Sequence, residues 1–401
     1  MSKNINVPKL RFKEFSGEWE EKTLNDLGTF LGGGTPSRSN ESYWEGNIPW
    51  ISSSDILEDN IHKINISRFI NQISIKESAT KLIPKNSILF VSRVGVGKLA
   101  INQDELCTSQ DFTNFIPKDT SSYYLGYLFQ SKKSILESFN QGTSIKGFTK
   151  NNISTLKIKL PQKQEQEKIA SFLTSVDKKI EKLTKKDELL QEYKKGIMQK
   201  IFSQEVRFKD DNGDEFPKWE EIKLGKYLTH KTHKNKENSI NLVLSVSNKK
   251  GFITQDEQFD GYEVASKDTS GYKIVEKNEY AYNPSRINVG SIARLENFDI
   301  GIVSPMYVVF KLKEKLNPIF FDNLYQTHRF KHLIKVSCSG SVRDSLNFED
   351  MANFKVKLPC IEEQNKIANF LSSIDDKIEE NQKILEKTKE FKKALLQQMF
   401  I

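Results

Sequence analysis

The sequence predicts an α+β protein in which two pseudo-equivalent mixed α/β domains are joined by a long antiparallel two-helix coiled coil. Three observations support this prediction: one segment occurs twice, both copies carry a heptad pattern of apolar residues, and a block of about 150 residues precedes each copy. The chain has 401 residues, and residues 355–400 repeat residues 157–202 without a gap, with identity at roughly half the positions. The protein is therefore predicted to be a tandem duplication.

Each copy of the repeat predicts a short strand followed by a long helix. A Leu-Pro pair ends a β-type run, and the fixed φ of proline admits a helix a few residues later. The apolar residues of the helix then mostly follow alternating steps of four and three, which is typical of a coiled-coil seam. They are Ile169, Leu173, Val176, Ile180, Leu183, Leu190, Tyr193, Ile197 and Ile201 in the first copy, and Ile367, Leu371, Ile374, Ile378, Leu385, Phe391, Leu395 and Met399 in the second.

Each predicted seam needs a partner, because a helix of about 40 residues is roughly 60 Å long and exceeds the helices inside ordinary domains. A folded block separates the two helices, so the second can return antiparallel to the first. The alternative is a core helix of a globular domain, which the Lys- and Glu-rich faces beside the seam disfavour. Polar residues at Asp187, Asn381 and Thr388 interrupt the seam and would fix its register.

The repeats divide the chain into four predicted segments. They are a first domain over residues 1–155, a first long helix over 156–204, a second domain over 205–352 and a second long helix over 353–401. Each domain is long enough to bury a core. Both domains open with Arg-Phe-Lys, a glycine-containing acidic turn and Trp-Glu-Glu, which predicts a first strand anchored by Trp19 or Trp219.

The net charge of +8 suggests contact with a polyanion. All nine arginines lie outside the long helices, at Arg11, Arg38, Arg68, Arg93, Arg207, Arg286, Arg294, Arg329 and Arg343. The planar guanidinium suits guanine edges and phosphate, so this distribution favours nucleic-acid contact in the domains. The alternative is that a lysine-rich composition makes arginine scarce and its placement accidental.

Several classes of function are disfavoured by composition. Three cysteines without CxxC spacing indicate a reducing, cytoplasmic setting in which they are structural. The N-terminal residues have no apolar export segment and no run of about 18 apolar residues occurs, so we expect neither secretion nor a membrane partner. The five histidines have no partners at metal-ligand spacing, and we predict no metal site, no catalytic residue and no cofactor in this chain.

A pair of similar segments, residues 86–101 and 278–295, predicts one hairpin in each domain with an arginine near its tip. Their alignment matches Arg93 with Arg286, Gly95 with Asn288 and Lys98 with Ser291. A common scaffold that carries different polar side chains is what two readers of different sequences need. Arg93, Lys98, Arg286, Asn288 and Ser291 are therefore predicted DNA contacts.

Residues 95–100 also match the GxGxxA nucleotide-binding fingerprint. That fingerprint requires a following helix and a later acid, whereas a β-type segment follows here and the second copy has Asn288 in place of the first glycine. Nucleotide binding is not favoured.

Polar loops supply the remaining candidates. Gly32–Gly34 precede Arg38 in a loop that could follow phosphates through its backbone amides, and the second domain has Ser247 and Lys249 in a polar turn at the equivalent place. Residues 142–153 and 340–351 combine glycine, hydroxyls and a basic residue, which gives Thr143, Ser144, Lys146, Ser341 and Arg343 as base or phosphate contacts. Ordinary surface loops are the alternative in each case.

Three features of the sequence carry a family resemblance: the opening VPKLRF…GEWEEKTLNDLG, the duplicated KLPxxxEQxKIAxFLxSxDxKI with Glu165-Gln166 and Glu363-Gln364, and the two dissimilar blocks. Together they resemble the specificity subunit of a type I restriction-modification system. The resemblance implies two target-recognition domains held apart by antiparallel helices, each reading half of a bipartite double-stranded DNA target. It also implies a non-catalytic subunit that binds two methyltransferase subunits and restriction subunits. S-adenosylmethionine, ATP and Mg²⁺ would be used only by those partners. The family fixes no DNA-reading residue, so the candidates rest on the internal comparison.

Because the halves differ, we expect an asymmetric target whose two short elements lie about one helical turn apart, centre to centre, with unread bases between them. A stand-alone DNA-modifying enzyme is one alternative, against which the absent methyltransferase, nuclease and metal motifs argue. A coiled-coil scaffold without nucleic acid is the other, and it leaves the duplicated Arg-bearing hairpins unexplained.

Overall fold

The computed structural model describes residues 6–139, 147–248, 250–255, 268–339 and 345–401. The chain forms two compact units: unit 1 comprises residues 1–186 with 381–401, and unit 2 comprises residues 187–380. The division falls within both long helices, so each unit contains a segment of each. No helix of the described residues is long and apolar enough to cross a membrane.

Unit 1 is built around two four-stranded sheets. Its elements are β1 (Glu20–Thr23), α1 (Leu24–Leu27), β2 (Gly28–Gly32), β3 (Ile48–Ile51), β4 (Arg68–Ile70), α2 (Gln72–Glu77), β5 (Leu82–Ile83), β6 (Ile88–Val91), β7 (Leu99–Ile101), β8 (Leu106–Thr108), β9 (Phe112–Pro117), α3 (Ser122–Ser131), α4 (Lys133–Ser138), α5 (Lys150–Ser154), β10 (Lys157–Leu160) and the start of α6 (Lys163–Phe202). One sheet has the order β2-β9-β6-β7 and is antiparallel, the other has the order β4-β3-β8-β5 with β3 and β8 parallel, and β1 pairs with β10.

Unit 2 repeats the first of these sheets. Its elements are β11 (Glu220–Lys223), β12 (Leu228–Lys231), β13 (Leu244–Ser247), β14 (Gly251–Thr254), β15 (Lys273–Glu276), β16 (Tyr280–Tyr282), β17 (Ile292–Arg294), β18 (Ile300–Val303), β19 (Val308–Leu312), α7 (Pro318–Leu324), α8 (His328–Ser339), α9 (Phe348–Ala352), β20 (Lys355–Leu358) and the start of α10 (Ile361–Gln398). The order β12-β19-β16-β17 matches that of unit 1, and β11 pairs with β20 as β1 pairs with β10. The outer strands differ, since β13-β14 and β15-β18 form separate pairs.

The two long helices pack against each other in both units. In unit 1 the Asn381 side chain donates to the Leu183 carbonyl at 2.9 Å and Lys392 Nζ lies 2.7 Å from Asp177 Oδ1, so the helices run antiparallel there. In unit 2 Lys194 forms the equivalent ion pair with Asp375 at 2.6 Å. The predicted fold class, two mixed α/β domains with an antiparallel pair of long helices, is confirmed.

The predicted seam is wrong at one position of each helix. Tyr193 and Phe391, which occupy equivalent places in the repeat, are 53% and 51% exposed. The next residue turns inward instead, because Lys194 and Lys392 form the ion pairs with an aspartate of the other helix. A heptad pattern scored by apolar residues does not detect an ion pair between the two helices.

A duplicated cluster explains the repeated Glu-Gln motif. The buried carboxylate of Glu165 accepts two hydrogen bonds from Arg11, both at 2.8 Å, and the buried carboxylate of Glu363 accepts from Arg207 at 3.2 and 2.7 Å. These bonds fasten the lead-in of each unit to its long helix, where a charge-assisted pair with two parallel bonds is strong.

The glutamine of the same motif holds the start of a second helix. The side chain of Gln166 donates to the Pro161 carbonyl and accepts from the Ser121 amide ahead of α3. In unit 2 Gln364 accepts from the Asn317 amide ahead of α7 in the same way. The repeated motif is therefore a structural element of each unit.

A buried polar network joins the core of unit 1 to its helix pair. Asp177 accepts from the Tyr127 hydroxyl at 2.7 Å and also contacts His62 Nε2 at 3.2 Å and Lys392. Burial raises the pKa of Asp177, but the His62 hydrogen bond and the Lys392 charge outweigh burial and leave this pKa below its usual value. In unit 2, Asp375 of the equivalent pair is half exposed.

Candidate nucleic-acid interface

The predicted hairpin of unit 1 is present. Strands β6 and β7 pair antiparallel from Ile88 opposite Ile101 to Phe90 opposite Leu99, and the turn between them carries Arg93. The Ser92 and Arg93 amides both donate to the Asp111 carbonyl, at 2.8 and 3.2 Å, so the backbone is held while the Arg93 side chain is exposed. This arrangement presents a guanidinium on a fixed support.

The polar loop of unit 1 returns to this turn. The Phe148 amide donates to the Ser92 carbonyl at 3.0 Å, and a Cβ at Gly147 would lie 2.3 Å from the same oxygen. Glycine is therefore required at 147 for the close approach. Two segments that the sequence singled out separately thus meet in one place. The predicted contacts in the loop itself, Thr143, Ser144 and Lys146, lie outside the described residues.

The hairpin of unit 2 is also present, with a turn one residue longer. Tyr282 lies opposite Ile292 as Phe90 lies opposite Leu99, which leaves residues 283–291 between them against 91–98 in unit 1. Arg286 and Asn288 are exposed on either side of the buried Ile287. A short 3-10 helix spans Ile287–Val289, and Gly290 after it has a positive φ of 98°. The predicted alignment of Arg93 with Arg286 is therefore displaced by one residue at the tip.

The loop of unit 2 meets its turn in the same manner. The Leu346 amide donates to the Pro284 carbonyl at 3.1 Å, and Leu346 follows Phe148 by the repeat distance of 198 residues. Counting from the strands, Pro284 stands where Ser92 stands in unit 1. The predicted contacts Ser341 and Arg343 lie outside the described part of the chain.

One predicted contact is not available at the surface. The Ser291 side chain is buried and its hydroxyl donates to the Val246 carbonyl at 3.1 Å. It ties the hairpin to β13, so the assignment of Ser291 as a DNA contact is corrected to a structural role. Lys98, which the alignment matched with Ser291, is half-buried beside Glu58 and Lys133 at the base of its turn.

Ser247 and the exposed turn of unit 2 line one cleft of about 820 Å³. Asn288 borders it from the hairpin, and Asn248 and Lys250 border it from the end of β13. Lys249, between them in sequence, lies outside the described residues. The structure thus brings together Ser247 and Asn288, which the sequence placed in separate segments.

The far wall of this cleft is charged, and the sequence did not predict that its residues lie together. Arg294 lies 2.8 Å from Asp322 and 2.6 Å from Glu296, and Lys194 reaches the cleft from α6. Burial raises the pKa of Asp322, although the Arg294 charge opposes this shift. Since these groups come from distant parts of the chain, no local pattern could have grouped them.

Arg38 lies apart from the hairpin of unit 1, exposed in a shallow cleft with Glu41, Trp44 and Arg68. Trp44 packs edge-on against Trp50 with ring centroids 5.0 Å apart, and the Arg68 guanidinium stacks 4.7 Å above Trp50. Arg68 also pairs with Asp55. Arg38 is therefore an exposed cation beside the half-buried ring of Trp44, a combination that suits a nucleic-acid backbone or base, whereas Trp50 is buried.

No group of three or more His, Cys, Asp or Glu side chains could hold a metal ion among the residues that the structure describes. The three cysteines are free thiols, and burial raises the pKa of the Cys107 thiol to about 12. The exposed polar side chains of the two turns include Arg93, Arg286 and Asn288, which can donate hydrogen bonds to base edges and phosphates, and Val94 and Val289 are exposed beside them.

Comparison with known proteins agrees with this picture. Residues 16–191 and 217–390 each match the family model described as type I restriction modification DNA specificity domain. The chain is 30% identical to the type I restriction enzyme MjaIX specificity subunit of Methanocaldococcus jannaschii, over 94% of this chain and 92% of that protein. It is 33% identical to the EcoR124I/EcoR124II specificity subunit of Escherichia coli, over 42% of this chain and 43% of that one.

Its fold is similar to the crystal structure of the type I restriction-modification system S subunit from M. genitalium, with a TM-score of 0.60 at 16% identity, covering 98% of this chain and 99% of that one. The two matched regions each contain one hairpin and one copy of the Glu-Gln motif. The chain therefore belongs to the type I restriction-modification DNA specificity family and carries two copies of its domain.

Proposed function

We propose that the chain is the non-catalytic subunit that selects DNA for a type I restriction-modification complex, with each unit reading one half of an asymmetric bipartite target. One observation carries the proposal. The same amide-to-carbonyl contact, from Phe148 to Ser92 and from Leu346 to Pro284, supports a turn in each unit whose exposed side chains differ. A common support with different polar side chains suits two readers of two sequences.

The residues on the turns have chemistry that suits base edges. Arg93 and Arg286 can each bond a guanine through O6 and N7, and Asn288 can bond an adenine through N6 and N7. Arg38 and the polar loop residues Thr143, Ser144, Lys146, Ser247, Lys249, Ser341 and Arg343 are proposed as further base or phosphate contacts. Lys98 is proposed as a phosphate contact at the base of its turn.

The proposed partners are two methyltransferase subunits and the restriction subunits. Tyr193 and Phe391 support a partner that binds once per repeat, because they are equivalent in sequence and remain about half exposed although aromatic. Catalysis, with S-adenosylmethionine, ATP and Mg²⁺, is assigned to these partners. Purified alone, the chain should therefore transfer no methyl group, and adding the methyltransferase subunits should restore transfer.

The target is obtained by comparing adenine methylation in the host with the gene present and deleted. Affinities for duplexes that carry the target, or a target altered in one half only, then test the residues. Arg93→Ala and Arg286→Ala should each weaken binding by about 1–3 kcal/mol and relax discrimination at one half only. Arg329→Ala is the matched control, because Arg329 is exposed at the start of α8, outside the turn, where its guanidinium lies 3.5 Å from Glu221 of β11. If both turn variants bind and discriminate like the control, the assignment is wrong.

A further inference from the structure

The outward face of α6 within unit 1 carries a cluster of lysines that are not among the proposed DNA contacts. Lys178, Lys179, Lys182 and Lys186 are all exposed. At 100° per residue these four positions fall within an arc of about 100° on the helix. We name this cluster the basic face. It extends over about 12 Å of the helix axis.

Within the described part of the chain the lysines of the basic face are not neutralised by direct ion pairs, although Lys178 borders a cleft that Asp104, Glu105 and Glu181 also line. Among the described residues, no carboxylate forms an ion pair with any of the four lysines. Lys178 and Lys182, and Lys182 and Lys186, are also spaced by four residues, where like charges repel and destabilise the helix. A merely solvated face is better served by alternating charges, so this one carries a cost that an external anion would offset.

The second copy of the repeat does not preserve the basic face. The residues equivalent to Lys178, Lys182 and Lys186 are Asp376, Glu380 and Ile384, and only Lys179 is matched by a lysine, Lys377; all four equivalents are exposed. A protein partner that binds once per repeat would need the same charges on both helices. A duplex is a single continuous polyanion and can be contacted at a place that has no counterpart in the other copy.

We infer that the basic face binds the phosphate backbone of the DNA duplex. The inference rests on the proposed function, since it adds a sequence-independent contact to the chain that reads the target. Lysine suits this role, because it is a compact charge on a flexible stem that contacts phosphates without selecting bases. The basic face would therefore contribute affinity and salt dependence, and the turns would contribute specificity.

The test measures how binding of a labelled duplex of arbitrary sequence to the full-length chain varies with salt. The triple variant Lys178→Gln, Lys182→Gln, Lys186→Gln should lower the slope of log K against log salt by about 0.9 for each phosphate that a lysine no longer neutralises. If each of the three lysines neutralises one phosphate, raising salt from about 50 to 200 mM should weaken the wild type about 40-fold more than the variant.

The matched control is Lys377→Gln, Lys387→Gln, Lys393→Gln on α10, which removes the same charge from exposed positions of the other helix. It should leave the slope unchanged, and thermal unfolding should be alike in both triple variants. Equal slopes for the two variants overturn the inference. A basic-face variant that binds duplex like the wild type but fails to assemble with the methyltransferase subunits overturns it in favour of an acidic protein partner.

A duplex that carries the target separates this inference from the proposed function. The ratio of target to non-target affinity should be the same in the wild type and in the basic-face variant. If the wild type binds target and non-target duplexes equally, while the variant has a lower slope of log K against log salt, sequence reading is refuted and the phosphate contact is supported. A wild type that binds no duplex at any salt overturns both.

Discussion

The two lead-in tryptophans are equivalent in sequence but differ by one hydrogen bond. Trp219 Nε1 donates to the buried carboxylate of Glu363 at 3.1 Å. Trp19 Nε1 is buried and has no hydrogen-bond partner among the described residues, although Glu165 occupies the equivalent place. Replacing either tryptophan with phenylalanine removes similar apolar surface, so the difference between the two variants isolates the hydrogen bond.

A hydrogen bond to a charged acceptor contributes about 1.5–3 kcal/mol, and removing an unpaired buried donor relieves a desolvation penalty. Trp219→Phe should therefore destabilise unit 2 by at least about 2 kcal/mol more than Trp19→Phe destabilises unit 1. For a unit of this size, that difference corresponds to about 4–8 °C in the unfolding midpoint. Hydrogen exchange of peptides from the β1/β10 strand pair and from the β11/β20 strand pair reports the stability of each unit separately within the full chain.

The arginine partners of the same carboxylates supply a control with the opposite sign. Breaking a buried charge pair costs about 3–5 kcal/mol, because one charge stays buried and unpaired. After Arg207→Ala, Glu363 keeps the Trp219 donor, whereas after Arg11→Ala the Trp19 ring offers Glu165 none. Arg11→Ala should therefore be the more destabilising of the two. The hydrogen-bond account predicts that the tryptophan substitution weakens unit 2 more and the arginine substitution weakens unit 1 more. If both substitutions weaken the same unit more, the account is refuted and a general difference in stability between the units explains the data.

Three further outcomes are expected. Gly147→Ala should displace the hairpin turn and weaken duplex binding, because its Cβ would lie 2.3 Å from a turn carbonyl. Gly196→Ala is the control, since its Cβ meets open space on α6 and should stabilise the helix by about 0.5–1 kcal/mol. Duplex binding and thermal unfolding of both variants check this. Asp177→Asn should have a lower free energy of unfolding than the wild type near neutral pH. The difference should disappear as pH falls below about 3.8, because the pKa of this aspartate is lowered in the folded state and the stability that its charge contributes is lost on protonation. Denaturant titrations that show the same difference at every pH would contradict this. Two helical turns inserted between Glu181 and Gln191, with a matching insertion in the other helix, should change the number of unread bases in the methylated target, and an unchanged target would refute a spacing role for the helices.

Much of the architecture follows from the repeat, because a duplicated sequence constrains both copies at once. The long helices follow from apolar spacing, which burial in a seam requires, and their antiparallel pairing follows from the folded block that separates the two copies. The hairpins follow from β-type runs around a glycine-bearing turn. The helices and the hairpins depend on residues that are close in sequence, and the pairing depends on the order of the segments along the chain.

The failures share a physical cause, which is contact between residues distant in sequence. Lys194 and Lys392 are turned inward by aspartates on the other helix, so the apolar pattern wrongly chose their aromatic neighbours. In sequence Ser291 resembles an exposed turn hydroxyl, but its hydroxyl donates a hydrogen bond to the Val246 carbonyl of another strand. The one-residue displacement of Arg286 became visible only from the pairing of the strands.

The contacts that stabilise each hairpin turn do not involve the side chains that the turn exposes. The Glu165 and Glu363 clusters hold each unit to its helix, and the contact at the turn uses backbone atoms only. The exposed side chains of Arg93 and Arg286 contribute to neither. Substitution at the turn should therefore alter recognition at little cost in stability, since exposed residues without such roles usually change stability by less than about 0.5 kcal/mol. A turn variant that loses both specificity and thermal stability would show that the turn itself belongs to the support.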